Sequence, residues 1–304
     1  MIEYSQYELL QKSALNRLDL SSQREGLLIR VNAGVGVIHP WPELGDSTVS
    51  ECLEDLQGAQ SNSLVRQALK CCEMKETVFV QDQLKIQNHA TLPKLSISLV
   101  SEAVDRGVQV IKFKRGKDWM RLRKKTASIM ESFPELRWRV DFNGALESHR
   151  DLVKFLSSVP RERIDFIEDP FHDAQLTERF SGFPLGYDWV VPSKLNLEQH
   201  YLIAKPAAQS LNEIESLAGK YPEKVIFTSY MDHPFGQLFA LSQAQEFYSK
   251  HQVEPPYCGL VTHGLYGETE YSKLLGPPSP ILTPPAREEL YQLLDLEKWI
   301  PITI

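Results

Sequence analysis

Short runs rich in β-branched residues alternate with helical spacings of apolar residues from about Leu84 onward. The helical spacing is clearest after Lys94, where Leu95, Leu99 and Ala103 recur four residues apart and Gly107 supplies a stop. Repeated strand–helix units of this kind are typical of a parallel sheet, and eight of them close a (β/α) barrel. The strand candidates are Lys85–Gln87, Val108–Lys114, Arg137–Asn143, Arg163–Asp169, Pro184–Asp188, Tyr201–Lys205, Lys224–Ser229 and Cys258–His263.

The first part of the chain follows a different pattern. Gly26–Val37 predicts a pair of strands and Ser47–Lys75 is largely helical in its spacing. The segment Arg287–Leu296 predicts a helix too short to fold alone, so we expect it to pack against the N-terminal region. The fold class predicted is α/β, a (β/α) barrel over 84–285 with an N-terminal α+β capping domain over 1–83, completed by the tail 286–304.

Composition narrows the classes of partner. A net charge of −7 over 304 residues argues against a nucleic-acid partner, which would require a clustered basic face. No stretch reaches the roughly 18 apolar residues of a membrane span, and the N-terminus carries no export signal. Cysteines are few and show no metal-binding or disulfide spacing, which favours reduced thiols and a cytoplasmic protein. They are Cys52, Cys71, Cys72 and Cys258.

Two lysines stand out in an apolar strand. Lys112 and Lys114 lie two residues apart, so both side chains point to one face of the strand. A strand end fraying into solvent would explain them equally well. Alternatively, burial and mutual repulsion lower the pKa of one ammonium and leave a neutral amine that can act as a base.

Carboxylates follow at the ends of the next strands. Alternation places Arg139, Asp141 and Asn143 on one face, although an Asx turn closing the strand is an alternative explanation of this triplet. Glu168 ends the following strand just before Asp169, for which a helix N-cap is the simpler interpretation.

The later strands add one carboxylate and one lysine. Asp188 and Lys205 end successive strand candidates, and each alone is as consistent with a solvated turn. Taken with the preceding strands, however, the acidic and basic residues fall at the same end of five consecutive strands. Three carboxylates converging there would repel one another unless a hard cation such as Mg²⁺ neutralised them. A hard metal flanked by lysines suits removal of a proton next to a carboxylate, with stabilisation of the resulting enolate.

The ordered set of these motifs resembles the enolase superfamily, and within it the o-succinylbenzoate synthases and their muconate-lactonising-like relatives. The resemblance rests on Lys112-Phe113-Lys114, Arg139-Val140-Asp141-Phe142-Asn143, Phe166-Ile167-Glu168-Asp169-Pro170, Asp188 and Lys205-Pro206, together with Gly34-Val35-Gly36-Val37-Ile38-His39-Pro40 in the N-terminal region. It extends over most of the chain.

The resemblance implies a role for each of these residues. Lys114 would be the base and Lys112 would help hold the developing negative charge, while Lys205 would stabilise the anion from across the ring. Mg²⁺, or Mn²⁺ in its place, would bind to Asp141, Glu168 and Asp188, with Arg139 and Asn143 supporting that side of the site. The implied reaction is loss of water from a small cyclohexadiene carboxylate to give o-succinylbenzoate, a step in menaquinone synthesis.

Two other functions stay open from the residues. The same constellation serves relatives that racemise N-acylamino acids or epimerise dipeptides, because lysines on opposite faces of a substrate can exchange a proton in either direction. A lysine-bearing barrel could also be a Schiff-base aldolase, which would leave three strand-end carboxylates without a shared role.

Overall fold

A four-stranded antiparallel sheet occupies the N-terminal region of this computed structural model, which describes residues 1–13, 15, 21–74, 84–188, 191–192 and 194–302. The predicted strand pair within Gly26–Val37 is confirmed, whereas the long first strand has no counterpart among the predictions. In spatial order the strands are β11 (Ile300–Pro301), β1 (Ile2–Leu10), β2 (Gln23–Val31) and β3 (Gly34–Ile38).

Two helices cover this sheet, as the pattern over Ser47–Lys75 predicts. Helix α1 (Val49–Gln57) begins with a capping box, in which the Thr48 hydroxyl accepts a bond from the Glu51 backbone and the Glu51 carboxylate bonds back to Thr48. Helix α2 (Ser63–Met74) lies directly on β3. Glycines make that approach possible, since a Cβ at Gly34 would lie 1.8 Å from the Cys72 carbonyl oxygen.

A seven-stranded parallel sheet forms the larger part of the molecule, with its strands in chain order. Six of the predicted barrel strands are therefore confirmed, with shorter bounds than the patterns indicated. The strands are β4 (Ala90–Leu92), β5 (Val110–Lys114), β6 (Arg137–Asp141), β7 (Ile164–Glu168), β8 (Leu185–Tyr187), β9 (Tyr201–Ala204) and β10 (Val225–Phe227).

The two edges of this sheet depart from the prediction. The first strand is β4 and not Lys85–Gln87, because its side chains pair in register with β5 from Ala90 onward. The predicted strand Cys258–His263 forms only isolated bridges, to Asn88 and to Thr228. Its backbone bonds nevertheless reach both edges of the sheet, since Cys258 N–H donates to the Gln87 carbonyl and Gly259 N–H donates to the Phe227 carbonyl.

Helices connect the parallel strands. The helix predicted after Lys94 is confirmed as α3, which is capped at its start by the Ser96 hydroxyl and followed by Gly107 with a φ of +84°. The predicted tail helix is confirmed as α10. Described in full, the helices are α3 (Ile97–Asp105), α4 (Trp119–Ser132), α5 (His149–Leu156), α6 (Ala174–Arg179), α7 (Leu211–Ala218), α8 (Pro234–His251), α9 (Glu270–Leu275) and α10 (Arg287–Asp295).

The end of the chain lies against the N-terminal sheet. Strand β11 pairs with β1, and the Arg30 guanidinium of β2 lies 4.3 Å from the ring centre of Trp299. The Tyr291 hydroxyl of α10 donates to the Ala33 carbonyl at 2.8 Å. The division into 1–83, 84–285 and 286–304 itself stays a prediction.

Candidate active site

The carboxyl ends of the parallel strands surround a cavity of about 230 Å³. Most of the predicted site residues line it, and Glu168 is buried beside them. The predicted residues in the cavity wall are Lys112, Lys114, Asp141, Asn143, Asp188 and Lys205.

Strand register explains why these side chains meet. Lys114 pairs with Asp141, and Asp141 with Glu168, so one level of the sheet carries an amine and two carboxylates. Asn143 and Asp169 follow with φ values of +47° and +37°, which turn the backbone out of the sheet directly after the strand ends. The predicted Asx turn is present as well, because Asn143 N–H donates to Asp141 Oδ1 at 3.0 Å.

Asp169 does not cap a helix, so the alternative considered for it is wrong. Helix α6 begins later, with Asp173 as its N-cap. Asp169 instead accepts a bond from the Asp188 backbone N–H at 3.1 Å. This bond joins the end of β7 to the turn that carries Asp188.

Lys112 is held between two carboxylates. Its ammonium forms a close ion pair with Glu168 and lies 3.4 Å from Asp141 Oδ2. Burial lowers the pKa of Lys112, but the negative charges of Glu168, Asp141 and Asp188 outweigh it and raise the pKa above its ordinary value. Lys112 is therefore a fixed cation.

The pKa of Lys114 is shifted in the opposite direction. Burial lowers its pKa below the ordinary lysine value, and the positive charges of Lys112 and Lys205 act in the same direction, against the opposing effect of Asp141 and Glu168. Its side chain lines the cavity, and no ion pair to it occurs within the described ranges. Of the two lysines on β5, Lys114 is the one that loses its proton more readily.

Lys205 approaches from the far side of the cavity. Its ammonium lies 2.7 Å from a carboxylate oxygen of Asp188. Burial lowers its pKa, but Asp188 raises it by more, so the pKa lies above the ordinary value. The backbone N–H of Lys205 donates to Gln209 Oε1 at 2.8 Å, which fixes the start of the loop after β9.

The carboxylates carry the electrostatic signature of a cation site. Burial, reinforced by the charges of Asp141 and Asp188 and opposed by Lys112, raises the pKa of Glu168 to about 7. The pKa of Asp141 is shifted downward: burial raises it, but the positive charges of Lys112 and Lys114 help to outweigh burial. An all-oxygen donor set of neighbouring buried carboxylates, one with its pKa raised mainly by burial, fits a hard divalent ion.

The same carboxylates are engaged by lysines. No group of three acidic, histidine or cysteine side chains within the described ranges stands close enough to hold a metal. The Lys112 ammonium forms ion pairs with Glu168 and Asp141, and the Lys205 ammonium forms one with Asp188. A cation bound by these acids would have to share or displace the ammonium groups of Lys112 and Lys205.

Arg139 lies deeper than the predicted metal side. Its guanidinium donates to His89 Nδ1 at 2.9 Å and to the Tyr257 carbonyl at 2.7 Å. A longer bond of 3.3 Å reaches Asp165, and the Phe166 ring lies 4.8 Å away. Arg139 supports the floor beneath the cavity, and its predicted role toward the metal stays a prediction.

Sequence reasoning missed several residues of the cavity wall. Thr91 and His89 belong to the first barrel strand and the residue before it, which the patterns placed too early in the chain. Alternation around Ala90–Leu92 would have pointed Thr91 inward beside Lys112, with which it pairs. The other wall residues outside the predicted set are Leu44, Ile203, Ala208, Gln209, Thr228, Ser229, Tyr230, Met231, Gly259 and Thr262.

Known proteins agree with this architecture. The protein-family model described as O-succinylbenzoate synthase, N-terminal domain, matches residues 2–78 of the chain. An o-succinylbenzoate synthase of Bdellovibrio bacteriovorus is 29% identical over 306 residues, covering 92% of this chain and 92% of that protein. The N-terminal region and the chain as a whole are thus similar to o-succinylbenzoate synthases.

Several solved structures share the fold. The o-succinylbenzoate synthase of Thermosynechococcus elongatus BP-1, complexed with Mg in its active site, has a TM-score of 0.69 at 14% identity, covering 97% of this chain and 99% of that one. A dipeptide epimerase of Enterococcus faecalis V583, complexed with Mg and the dipeptide L-Leu-L-Tyr, has a TM-score of 0.70 at 14% identity, covering 93% of this chain and 96% of that one.

Among the described residues of this chain, no helix is both long and apolar enough to cross a membrane.

Proposed function

We propose that this chain is a Mg²⁺-dependent o-succinylbenzoate synthase, which removes water from 2-succinyl-6-hydroxy-2,4-cyclohexadiene-1-carboxylate. The observation that carries the proposal is the contrast between two lysines on β5: the Lys112 ammonium is paired with Glu168 and Asp141, whereas Lys114 lines the cavity with its pKa lowered by burial. The relative that matches over most of the chain bears the same enzyme name.

We infer that the parallel sheet closes into a barrel. Residues 258–260 supply the missing eighth position, because their backbone bonds reach Gln87 on one side and Phe227 on the other. The Leu260 N–H also donates to Asn88 Oδ1 at 2.9 Å. Closure brings Lys114 of β5 and Lys205 after β9 to face each other across one mouth.

Asp141, Glu168 and Asp188 would hold the metal, with an adjacent place for the substrate carboxylate. When bound, the ion supplies positive charge next to the carboxylate on which negative charge accumulates. The lysines that occupy these three acids in the structure then become free to face the substrate.

The chain's own residues account for the proton transfer. Neutral Lys114 takes the proton from the ring carbon next to the carboxylate, and its electron pair becomes the enolate. Lys112 and Lys205, as cations, stabilise that negative charge from two directions. Collapse of the enolate forms a new ring double bond and breaks the bond to the hydroxyl group, which takes the proton now carried by the Lys114 ammonium and leaves as water. The ring becomes aromatic and Lys114 returns to its neutral form.

The direct test is dehydration of the cyclohexadiene carboxylate followed by absorbance, with and without Mg²⁺. We expect metal-dependent turnover that Lys114→Ala abolishes. The matched control is Lys117→Ala, which removes an exposed lysine three residues further along the chain and should keep full activity. Equal activity of Lys114→Ala and the intact chain would refute the assignment of the base.

A racemase or epimerase is the second candidate, because lysines from two well-separated strands line the cavity. Deuterium exchange at the α-carbon of N-acylamino acids and dipeptides tests it. Exchange of both enantiomers without dehydration of the cyclohexadiene would favour this second function. A Schiff-base aldolase would instead be trapped by borohydride with a ketone, which we do not expect.

The substrate that we expect is thus a small carboxylate.

All four cysteines are buried free thiols, which accords with a reducing compartment and with our expectation of a cytoplasmic enzyme.

A further inference from the structure

Tyr230 stands between the cavity and the N-terminal region. It follows the end of β10 and lines the cavity, and the Lys205 ammonium lies 5.6 Å from its ring centre. This distance is within the range in which an aromatic ring attracts a cation. Lys205 therefore has two neighbours that favour its charge, Asp188 at one side and the Tyr230 ring at another.

The other end of Tyr230 is anchored outside the barrel. Its hydroxyl donates to the Asp46 carboxylate, 2.9 Å from Oδ2 and 3.2 Å from Oδ1. Asp46 lies in the loop between β3 and α1, 184 residues away in the chain. The bond joins the barrel mouth to the loop that bears Leu44, another residue of the cavity wall.

Trp41 stabilises the contact between Tyr230 and Asp46. Its backbone N–H donates to Asp46 Oδ2 at 2.8 Å, and its indole N–H donates to the Tyr230 carbonyl at 3.0 Å. The Trp41 ring is buried, with the Arg24 guanidinium 4.1 Å from its centre. Tyr230 is thus held by both its hydroxyl and its backbone, so that its ring has little freedom to turn away from Lys205.

We propose that Tyr230 is a positioning residue for Lys205, and that Asp46 fixes Tyr230 so that seating of the N-terminal loop sets the position of the ammonium. The catalytic meaning of this inference rests on the proposed function of Lys205. Its physical content, a chain of contacts from Asp46 through Tyr230 to Lys205, does not depend on the substrate.

Three substitutions separate the contacts. Tyr230→Leu removes the ring, Tyr230→Phe keeps the ring and removes the hydroxyl, and Asp46→Asn keeps the shape of the acceptor while removing its charge. The matched control is Tyr221→Leu, which removes a ring lying 5.0 Å from the ammonium of Lys220 outside the cavity.

In turnover of the cyclohexadiene carboxylate, we expect Tyr230→Leu to lower kcat by roughly 10- to 30-fold, the upper range for a partly desolvated cation–ring contact. KM should change less than about 3-fold, because the lost contact acts on the transition state. Tyr230→Phe and Asp46→Asn should each lower kcat by a few-fold, and the double variant should be no worse than Tyr230→Phe, since both changes act on the same bond. The control should retain the wild-type kcat.

A readout independent of the reaction keeps the two hypotheses separate. Urea unfolding is measured for Tyr230→Leu, Lys205→Met and their combination, and in a second cycle for Asp46→Asn, Tyr230→Phe and theirs. Coupling of about 3-fold or more in the unfolding equilibrium constant in both cycles supports the chain of contacts, even if the wild type fails to turn over this substrate. Additive effects in either cycle overturn it. So does a loss of kcat in Tyr230→Leu no larger than in Tyr221→Leu, when the wild type is active.

Discussion

Asp188 and Lys205 form an ion pair of 2.7 Å between two neighbouring strand ends, so the predicted third metal ligand is held by a predicted catalytic cation. Under the proposed ligand set, the metal and the Lys205 ammonium would both interact with the Asp188 carboxylate, so each would influence how the other binds.

Replacement of Asp188 by Asn should weaken Mg²⁺ binding by about 10-fold or more, because a neutral amide is a poorer ligand for a hard cation than a carboxylate. Isothermal titration with Mg²⁺ measures the change. Asp118→Asn is the matched control, since Asp118 is a carboxylate paired with Arg121 on the surface after β5. Unchanged Mg²⁺ affinity in Asp188→Asn would remove Asp188 from the ligand set.

Mg²⁺ binding should release protons near neutral pH. The pKa of Glu168 without metal is about 7, raised mainly by burial and further by Asp141 and Asp188, so this acid is partly protonated there. A metal binds the ionised form, so affinity should rise as pH increases from about 6 to 8 and then level off. Titration in two buffers of different ionisation enthalpy measures the released protons. An observed enthalpy that does not depend on the buffer would contradict this expectation.

The pH dependence of kcat/KM should report Lys114. The neutral amine is the active form, so activity should rise with pH and reach half its limit at a pH below the ordinary pKa of lysine, since burial and the neighbouring cations lower the pKa. Stopped-flow absorbance across the accessible pH range measures the profile. A rise that follows the ordinary lysine value would show that Lys114 is not perturbed in the working enzyme.

Glycine at position 34 should be required for stability. A Cβ there would meet the backbone of Cys72 in α2, so Gly34→Ala should lower the free energy of unfolding by about 1–3 kcal/mol. Gly58→Ala is the control, because the nearest atom to its added Cβ is a carbonyl oxygen at the ordinary distance of 3.5 Å. Urea denaturation compares the two. Equal effects would mean that α2 can move away from β3 at no cost.

Much of this site could be predicted from strand alternation alone. A period of two places Lys112 with Lys114, and Asp141 with Asn143, on the inward face of their strands, and the parallel order then aligns strand ends. The first barrel strand was placed too early because Ala90–Leu92 is only three residues long, too short for a periodic pattern. For that reason the inward-facing Thr91 was not among the predicted residues.

Contacts between distant segments were beyond the reach of such patterns. The bond from Tyr230 to Asp46 and the bond from Arg139 to His89 depend on how the elements are arranged in space, which periodicity does not encode. The state of Lys112 shows the same limit. A sequence pattern identified two lysines on one face, but only the three-dimensional placement of Glu168 and Asp141 distinguishes the permanent cation from the base.

The ion pairs of Lys112 and Lys205 have a consequence for how the protein is made. Small metal-dependent domains often remain unfolded until their ion arrives, because unneutralised ligands oppose collapse. Here two ammonium groups already lie against the three acids and neutralise much of their charge, so we expect folding of this chain not to depend on the ion.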